Sequence, residues 1–279
     1  MSTLPSPPFD GAGLHAAAAA CIAIAQPERK FAAVDALAAA WRTGRLGVDG
    51  DHAPVHAFDV PGRPARPRLV HPRELAQRGL GTPVGRAALV HAVAHIEFNA
   101  VNLALDAVHR FRGLPREYYD DWIGVALDEA RHHRMLAARL AELGHAYGDF
   151  DAHDGLWDMA VRTRDDFVAR MALVPRVLEA RGLDVTPGMI ARLRGAGDAA
   201  TADILVVILD EEVAHVAAGT RWYQYACAQH GLEPEAHFVG LVRLHATGAA
   251  RGPYNREARL RAGFSQGELD ALSGLVPAA

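Results

Sequence analysis

TPVGRAALVHAVAHIEFNAVNLALDAVHRFRG, residues 82–113, reads as one long helix. Thr82 before Pro83 is a start signal. The hydroxyl can accept an otherwise orphaned amide, and proline suits the first turn because its missing N–H would have no partner there. Leu89, Val93, Ile96, Ala100, Leu103 and Ala107 recur at helical spacing, and Gly113 closes the run. Outward from this segment, a second long helix opens at Pro115 and runs to Gly144. A third starts at Thr163 and Asp166, a weakened capping box, and stops at Gly182. Asp198 caps a fourth, which ends before Gly231. Pro175 lies inside the third and predicts a kink. Shorter helices are expected over 187–193, 235–246 and 265–272, and no alternating β pattern of useful length occurs. The expected fold is all-α. Four helices of roughly 20–30 residues form a bundle over 81–232, with a helical extension over 233–279 packed on it.

Residues 1–80 read differently. Two Ala-rich segments, Leu14–Ala25 and Pro27–Trp41, predict short helices. Pro54, Pro61, Pro64, Pro67 and Pro72 then remove amide donors and disfavour helix before each of them. The segment 44–72 is therefore expected to be an extended strap on the helical body, anchored by Val55, Phe58, Val60, Leu69 and Val70. With 279 residues, 50% hydrophobic, and a net charge of −4, the chain can bury a large core. No run of about 18 apolar residues escapes charges and breakers, so no membrane span is expected. The run Leu14–Ala25 is too short to span and lacks the basic leader of a secretory signal. Two cysteines, Cys21 and Cys227, fit a reducing cytoplasm better than a disulfide scaffold. The basic stretch Arg63–Arg73 is scattered among prolines without aromatics, and nucleic acid is not an expected partner.

Histidine is the compositional outlier, at 15 residues. On the second helix Trp122, Val125, Ala126, Glu129, His132 and Leu136 share a face. On the fourth, Ile204, Leu205, Ile208, Glu212, His215, Gly219 and Trp222 do the same. Each face carries Glu-x-x-His, a carboxylate and an imidazole one turn apart on one side of a helix. An ionised Glu on an apolar face is expensive unless something compensates it, and a cation is the natural partner. A single such pair is better explained as a hydrogen-bonded core pair, because chance spacing supplies about 0.7 of them here. The third occurrence, Glu142 to His145, straddles the helix-ending Gly144 and is a coincidence of spacing.

The repeat lifts the other two above chance. Glu97 on the first helix and Glu179 on the third are 82 residues apart; Glu129 to Glu212 and His132 to His215 are each 83. Two helix pairs thus present the same set, one Glu followed by Glu-x-x-His, which is the ligand set of carboxylate-bridged dimetal bundles. Glu97, Glu129, His132, Glu179, Glu212 and His215 are the expected ligands of two divalent ions, and four carboxylates balance their charge. The mixed oxygen and nitrogen set suits iron or manganese, with zinc a common substitute. Asp128 and Glu211 each precede a bridging Glu and are candidates to orient the metal-binding His of the opposite repeat. A surface ion pair with an Arg is the alternative for both, and Glu211 could replace Glu212 as ligand. His91 and His95 lie away from the Glu97 face, and His133 is expected to point outward. Tyr118, Tyr119, Tyr223, Tyr225, Trp122 and Trp222 are assigned to packing. No glycine-rich phosphate loop, Ser–His–Asp set or CxxC motif occurs.

HIEFNAVNLALD (95–106), DEARHH (128–133), VLEARGLD (177–184) and DEEVAHV (210–216), the last followed by Gly219 and Trp222, resemble the ferritin-like superfamily. That superfamily includes rubrerythrins, ribonucleotide reductase small subunits and bacterial multicomponent monooxygenases. More narrowly, these segments look like the ferritin-like family catalogued as domain of unknown function 455. The resemblance covers about residues 75–230 and implies a dimetal site on the same six residues. A carboxylate-bridged metal pair is itself expected to serve an oxidase or hydroxylase that uses dioxygen or peroxide on an unknown substrate, with an electron donor. The alternative is a non-catalytic or ferroxidase-type protein of metal handling and oxidative stress. The resemblance carries no reaction by itself, because one fold hosts many functions.

Overall fold

The computed structural model describes residues 9, 12–48, 54–246, 248 and 251–275. Among the described residues every regular element is helical, and the one β feature is an isolated parallel bridge between Leu69 and Ala152. The chain divides into two compact units, Met1–Trp157 and Asp158–Ala279.

In the first unit α1 (Leu14–Ala23), α2 (Pro27–Arg42), α3 (Pro83–Arg110) and α4 (Arg116–Glu142) carry the core. The Thr82 hydroxyl accepts from the Gly85 amide at 3.0 Å, so the expected cap is formed. Gly113 (φ 69°) turns the chain, and α4 runs back antiparallel to α3, with the Tyr118 hydroxyl donating to the Ala107 carbonyl at 3.1 Å. α1 packs on α3 and α2 on α4. The Lys30 ammonium ties three of these helices together, donating to the Cys21 and Ile22 carbonyls that end α1 (3.0 and 2.7 Å) and to Asn102 Oδ1 of α3 (2.7 Å). α3 is the core helix. By length and composition it could cross a bilayer, yet 78% of its apolar window is buried inside the protein. Being covered on nearly every side, it does not follow a single expected stripe: Ile96 is exposed and Glu97 is buried.

The strap binds the first unit, but only partly through the expected anchors: Phe58 packs edge-on against His109, with ring centroids 5.8 Å apart. Val55 and Val60 are exposed, and Phe58, Leu69 and Val70 are only partly covered. Hydrogen bonds to its backbone supply most of the hold. The Gly62 amide donates to Ile22 O at 2.9 Å, Val70 N to Ala152 O at 2.8 Å, and Trp157 Nε1 to Asp59 O at 3.1 Å. A proline-rich segment has few donors; besides these, the His56 amide donates to His109 Nε2 of α3 at 2.9 Å. Gly62 is required because a Cβ there would collide with the Ile22 and Ala23 carbonyls. Residues 49–53 of the expected strap lie outside the described residues.

α5 (Gly155–Arg162) spans the unit boundary. The second unit then holds α6 (Phe167–Leu173), a π turn (Val174–Glu179), α7 (Ala180–Gly195), α8 (Ala199–His230), α9 (Pro234–His245), α10 (Arg256–Arg261) and α11 (Gln266–Leu275). Three expectations are corrected here. Asp166, not Thr163, caps α6 by accepting from the Ala169 amide at 2.9 Å, while the Thr163 hydroxyl bonds back to Met159 O. The chain does not stop at Gly182, nor is 187–193 a separate helix; α7 passes through both with Pro187 inside it. Proline at 187 leaves the Leu183 carbonyl without its i+4 amide, and the Asn255 side chain donates to that carbonyl at 3.2 Å. The third change is at Pro175, where the expected kink takes the form of a π turn with one extra residue in the turn. Asp198 caps α8 by accepting from Thr201 N, and Gly231 (φ 64°) ends it.

Candidate metal centre

The α3–α4 hairpin places residue 97 opposite 129–132, and the three-residue spacing on α4 puts Glu129 and His132 on one side. His132 Nδ1 lies 3.2 Å from Glu97 Oε2 and 3.4 Å from Glu129 Oε2. One ligand atom from each of the three lies within 4.8 Å of the other two. Exposure is 5% for Glu97, 1% for Glu129 and 0% for His132, so water does not screen this group of charges. Burial, then the neighbouring Glu129 carboxylate, raise the Glu97 pKa well above its usual range. Burial alone would lower that of His132, but the hydrogen bonds and charges of Glu129 and Glu97 outweigh it and push the imidazolium up to about 11. The donor set fits a divalent cation. Two carboxylates supply the balancing charge, and the imidazole supplies a nitrogen suited to iron, manganese or zinc.

In the second unit α7 and α8 are antiparallel, and α8 sets Glu212 and His215 one turn apart, with His215 Nδ1 3.1 Å from Glu212 Oε2. Both are buried. Glu179 is the last residue of the π turn and is 8% exposed. Gly182, read from the sequence as a stop, lies over Glu212: a Cβ there would sit 3.9 Å from Glu212 Cγ. The structure thus joins Glu97, Glu129 and His132 in the first unit and Glu212 with His215 in the second, and it buries Glu179.

Asp128 forms an ion pair with Arg131 at 2.8 Å, as in the surface alternative, and Glu211 lies half-buried on α8 in a groove bordered by α10. His133 does not point outward. It is 3% exposed, between Phe31 of α2 and Tyr147, with ring centroids 4.8 and 4.9 Å away. Helical periodicity turns it about 100° away from His132, but α2 and Tyr147 cover that side too. His91 and His95 serve the same packing: His91 Nε2 accepts from Gly148 N at 2.9 Å, and His95 Nδ1 lies 2.8 Å from the Tyr147 hydroxyl. Tyr118, Tyr119 and Tyr223 each give their hydroxyl to a backbone carbonyl, consistent with packing roles.

A cation bound here would compete with protons for the same atoms. The Glu97 and Glu129 carboxylates favour the protonated form of His132, and burial favours the protonated form of Glu97, so a cation bound at Glu97, Glu129 and His132 would displace protons. Affinity is expected to rise about tenfold per pH unit for each proton released, between pH 6 and 8. Calorimetry in buffers of different ionisation enthalpy measures that number. Binding with no net release would contradict the protonated triad.

The sequence matches the profile of a family described as "Protein of unknown function (DUF455)" over residues 23–270. A curated protein of Haemophilus influenzae, described as uncharacterized, is 44% identical over 214 residues, 74% of each chain. No solved structure matches. The matched span contains both hairpins with their Glu and Glu-x-x-His residues, and the chain accordingly belongs to this DUF455 family.

Proposed function

We propose that the chain is a ferritin-like dinuclear metal protein that activates dioxygen or peroxide to oxidise or hydroxylate a substrate. The observation that carries the reading is the buried Glu97, Glu129 and His132 triad, whose ligand atoms crowd together where two carboxylates are costly without a cation. The 82- and 83-residue repeat extends it, because Glu179, Glu212 and His215 form a second set of the same composition. Each set offers two carboxylates and one imidazole, the charge of one divalent ion, so the chain takes two. Iron is the favoured metal, with manganese or zinc as substitutes. When bound, such metals supply redox electrons and a Lewis acid; the protein supplies the ligands, their orientation and a dry surround. An oxidised centre of this kind would need an electron donor to return to its reduced form. Two free, buried cysteines suit a reducing compartment such as the cytoplasm.

Anaerobic Fe(II) titration followed by oxygen tests the proposal. Two irons per chain, oxygen uptake, and re-reduction of the oxidised centre by a chemical donor are expected. Iron accumulating well beyond two per chain would replace the enzyme by a storage-type metal-handling protein. Absence of stoichiometric binding would overturn the metal reading altogether.

A further inference from the structure

Pro175 and Gly219 meet where the π turn crosses α8. A Cβ at Gly219 would overlap both Cβ and Cγ of the Pro175 ring, so the bare backbone of α8 is the socket into which that ring fits. The adjoining residues repeat the register: Arg176 Nε donates to the Thr220 hydroxyl at 3.2 Å. Along the chain, Glu179 lies one turn beyond Pro175. On α8, His215 and Glu212 lie one and two turns before Gly219. The socket therefore lies about one helical turn along the chain from Glu179 and from His215, without supplying a donor atom. A π turn inserts one residue, which in a continuous α-helix through 167–195 would carry position 179 about 100° round the axis.

We propose that the Pro175–Gly219 contact is a steric key that holds the π turn in register and so places Glu179 for metal ligation, making Gly219 a positioning residue. This inference rests on the metal-binding proposal above. The ring cannot donate an amide to an α-helical ladder, so it favours the wider turn. The missing side chain at 219 lets that turn approach α8 at van der Waals distance. Arg176, fixed by Thr220, prevents the turn from sliding along the axis. Substituting either partner leaves every ligand atom in the chain and changes only where one of them is held.

Cobalt(II) titration of the metal-free full chain, followed by visible absorption and elemental analysis, tests the key. Wild type binding fewer than two ions defeats the metal proposal, not this one. If wild type binds two, Gly219→Ala forces the ring out and is expected to weaken one of the two ions by about tenfold or more, with an altered cobalt spectrum. Pro175→Gly removes the ring without adding a clash, so it tests the same point should Gly219→Ala fail to fold. It is expected to weaken the same ion. The key is overturned if Pro175→Gly, or a folded Gly219→Ala, binds both ions as wild type does.

Discussion

Replacing Glu129 and Glu212 together by alanine is expected to abolish stoichiometric metal binding while the protein keeps its helical circular dichroism. Each change removes the carboxylate of a Glu-x-x-His pair, one turn from its histidine. Four-ligand protein sites bind zinc with about 10–16 kcal/mol in total, so one ligand is worth about 3 kcal/mol, or roughly a hundredfold in affinity. Glu129→Ala alone should therefore leave at least one weakened ion. The double variant should leave none at micromolar concentration. The fold should tolerate the change, because burial and the Glu129 carboxylate are what push Glu97 out of its ordinary range; removing that charge relieves the metal-free core. Thermal unfolding with and without added metal is the sharpest readout. A ligand at a thousand times its dissociation constant stabilises by about 4 kcal/mol, and that shift should vanish in the double variant. Two ions retained per chain would remove Glu129 and Glu212 from the ligand set.

The distribution of correct and corrected readings follows from how far each interaction reaches along the chain. Thr82, Asp198, Gly113, Gly144 and Gly231 act on amides or turns within a few residues, and each serves the boundary read from it. The first triad was legible for the same reason: one helical turn joins Glu129 to His132, and one short hairpin brings Glu97 to them. What failed was decided far away. Pro187 continues a helix because Asn255, 68 positions later, takes the carbonyl that the proline abandons. His133 is buried because Phe31, from a helix a hundred residues upstream, lies on it. Val55 and Val60 do not anchor the strap, because backbone hydrogen bonds hold it where their apolar side chains stay exposed. α5 and α10, of 8 and 6 residues, are too short for periodicity to reveal. Gly182 and Gly219 were visible as letters, but their purpose depends on which atoms cross them, Glu212 in one case and Pro175 in the other.

Glu268→Ala is expected to destabilise the protein by about 3–5 kcal/mol in the presence of a chelator, through a guanidinium it leaves behind. Arg176 sits in the π turn, is 1% exposed, and donates from Nη2 to both Glu268 oxygens at 2.8 Å. Its guanidinium carbon lies 4.1 Å from the Phe238 ring centre, 4.5 Å from Phe264 and 4.7 Å from Tyr223. These rings attract the cation but cannot accept the hydrogen bonds that Glu268 does, and burial lowers the Arg176 pKa without bringing neutralisation within reach. Removing the carboxylate therefore strands a buried charge. For a chain of this size the loss corresponds to a melting temperature lower by roughly 10 °C. The paired change Arg176→Met with Glu268→Leu takes away both charges and should recover most of the loss, since hydrophobic replacements of buried ion pairs are commonly near neutral. If the paired variant is as unstable as Glu268→Ala, the ion pair itself stabilises the second unit. If Glu268→Ala costs less than about 1 kcal/mol, Arg176 has found water, and the aromatic enclosure around it is not closed.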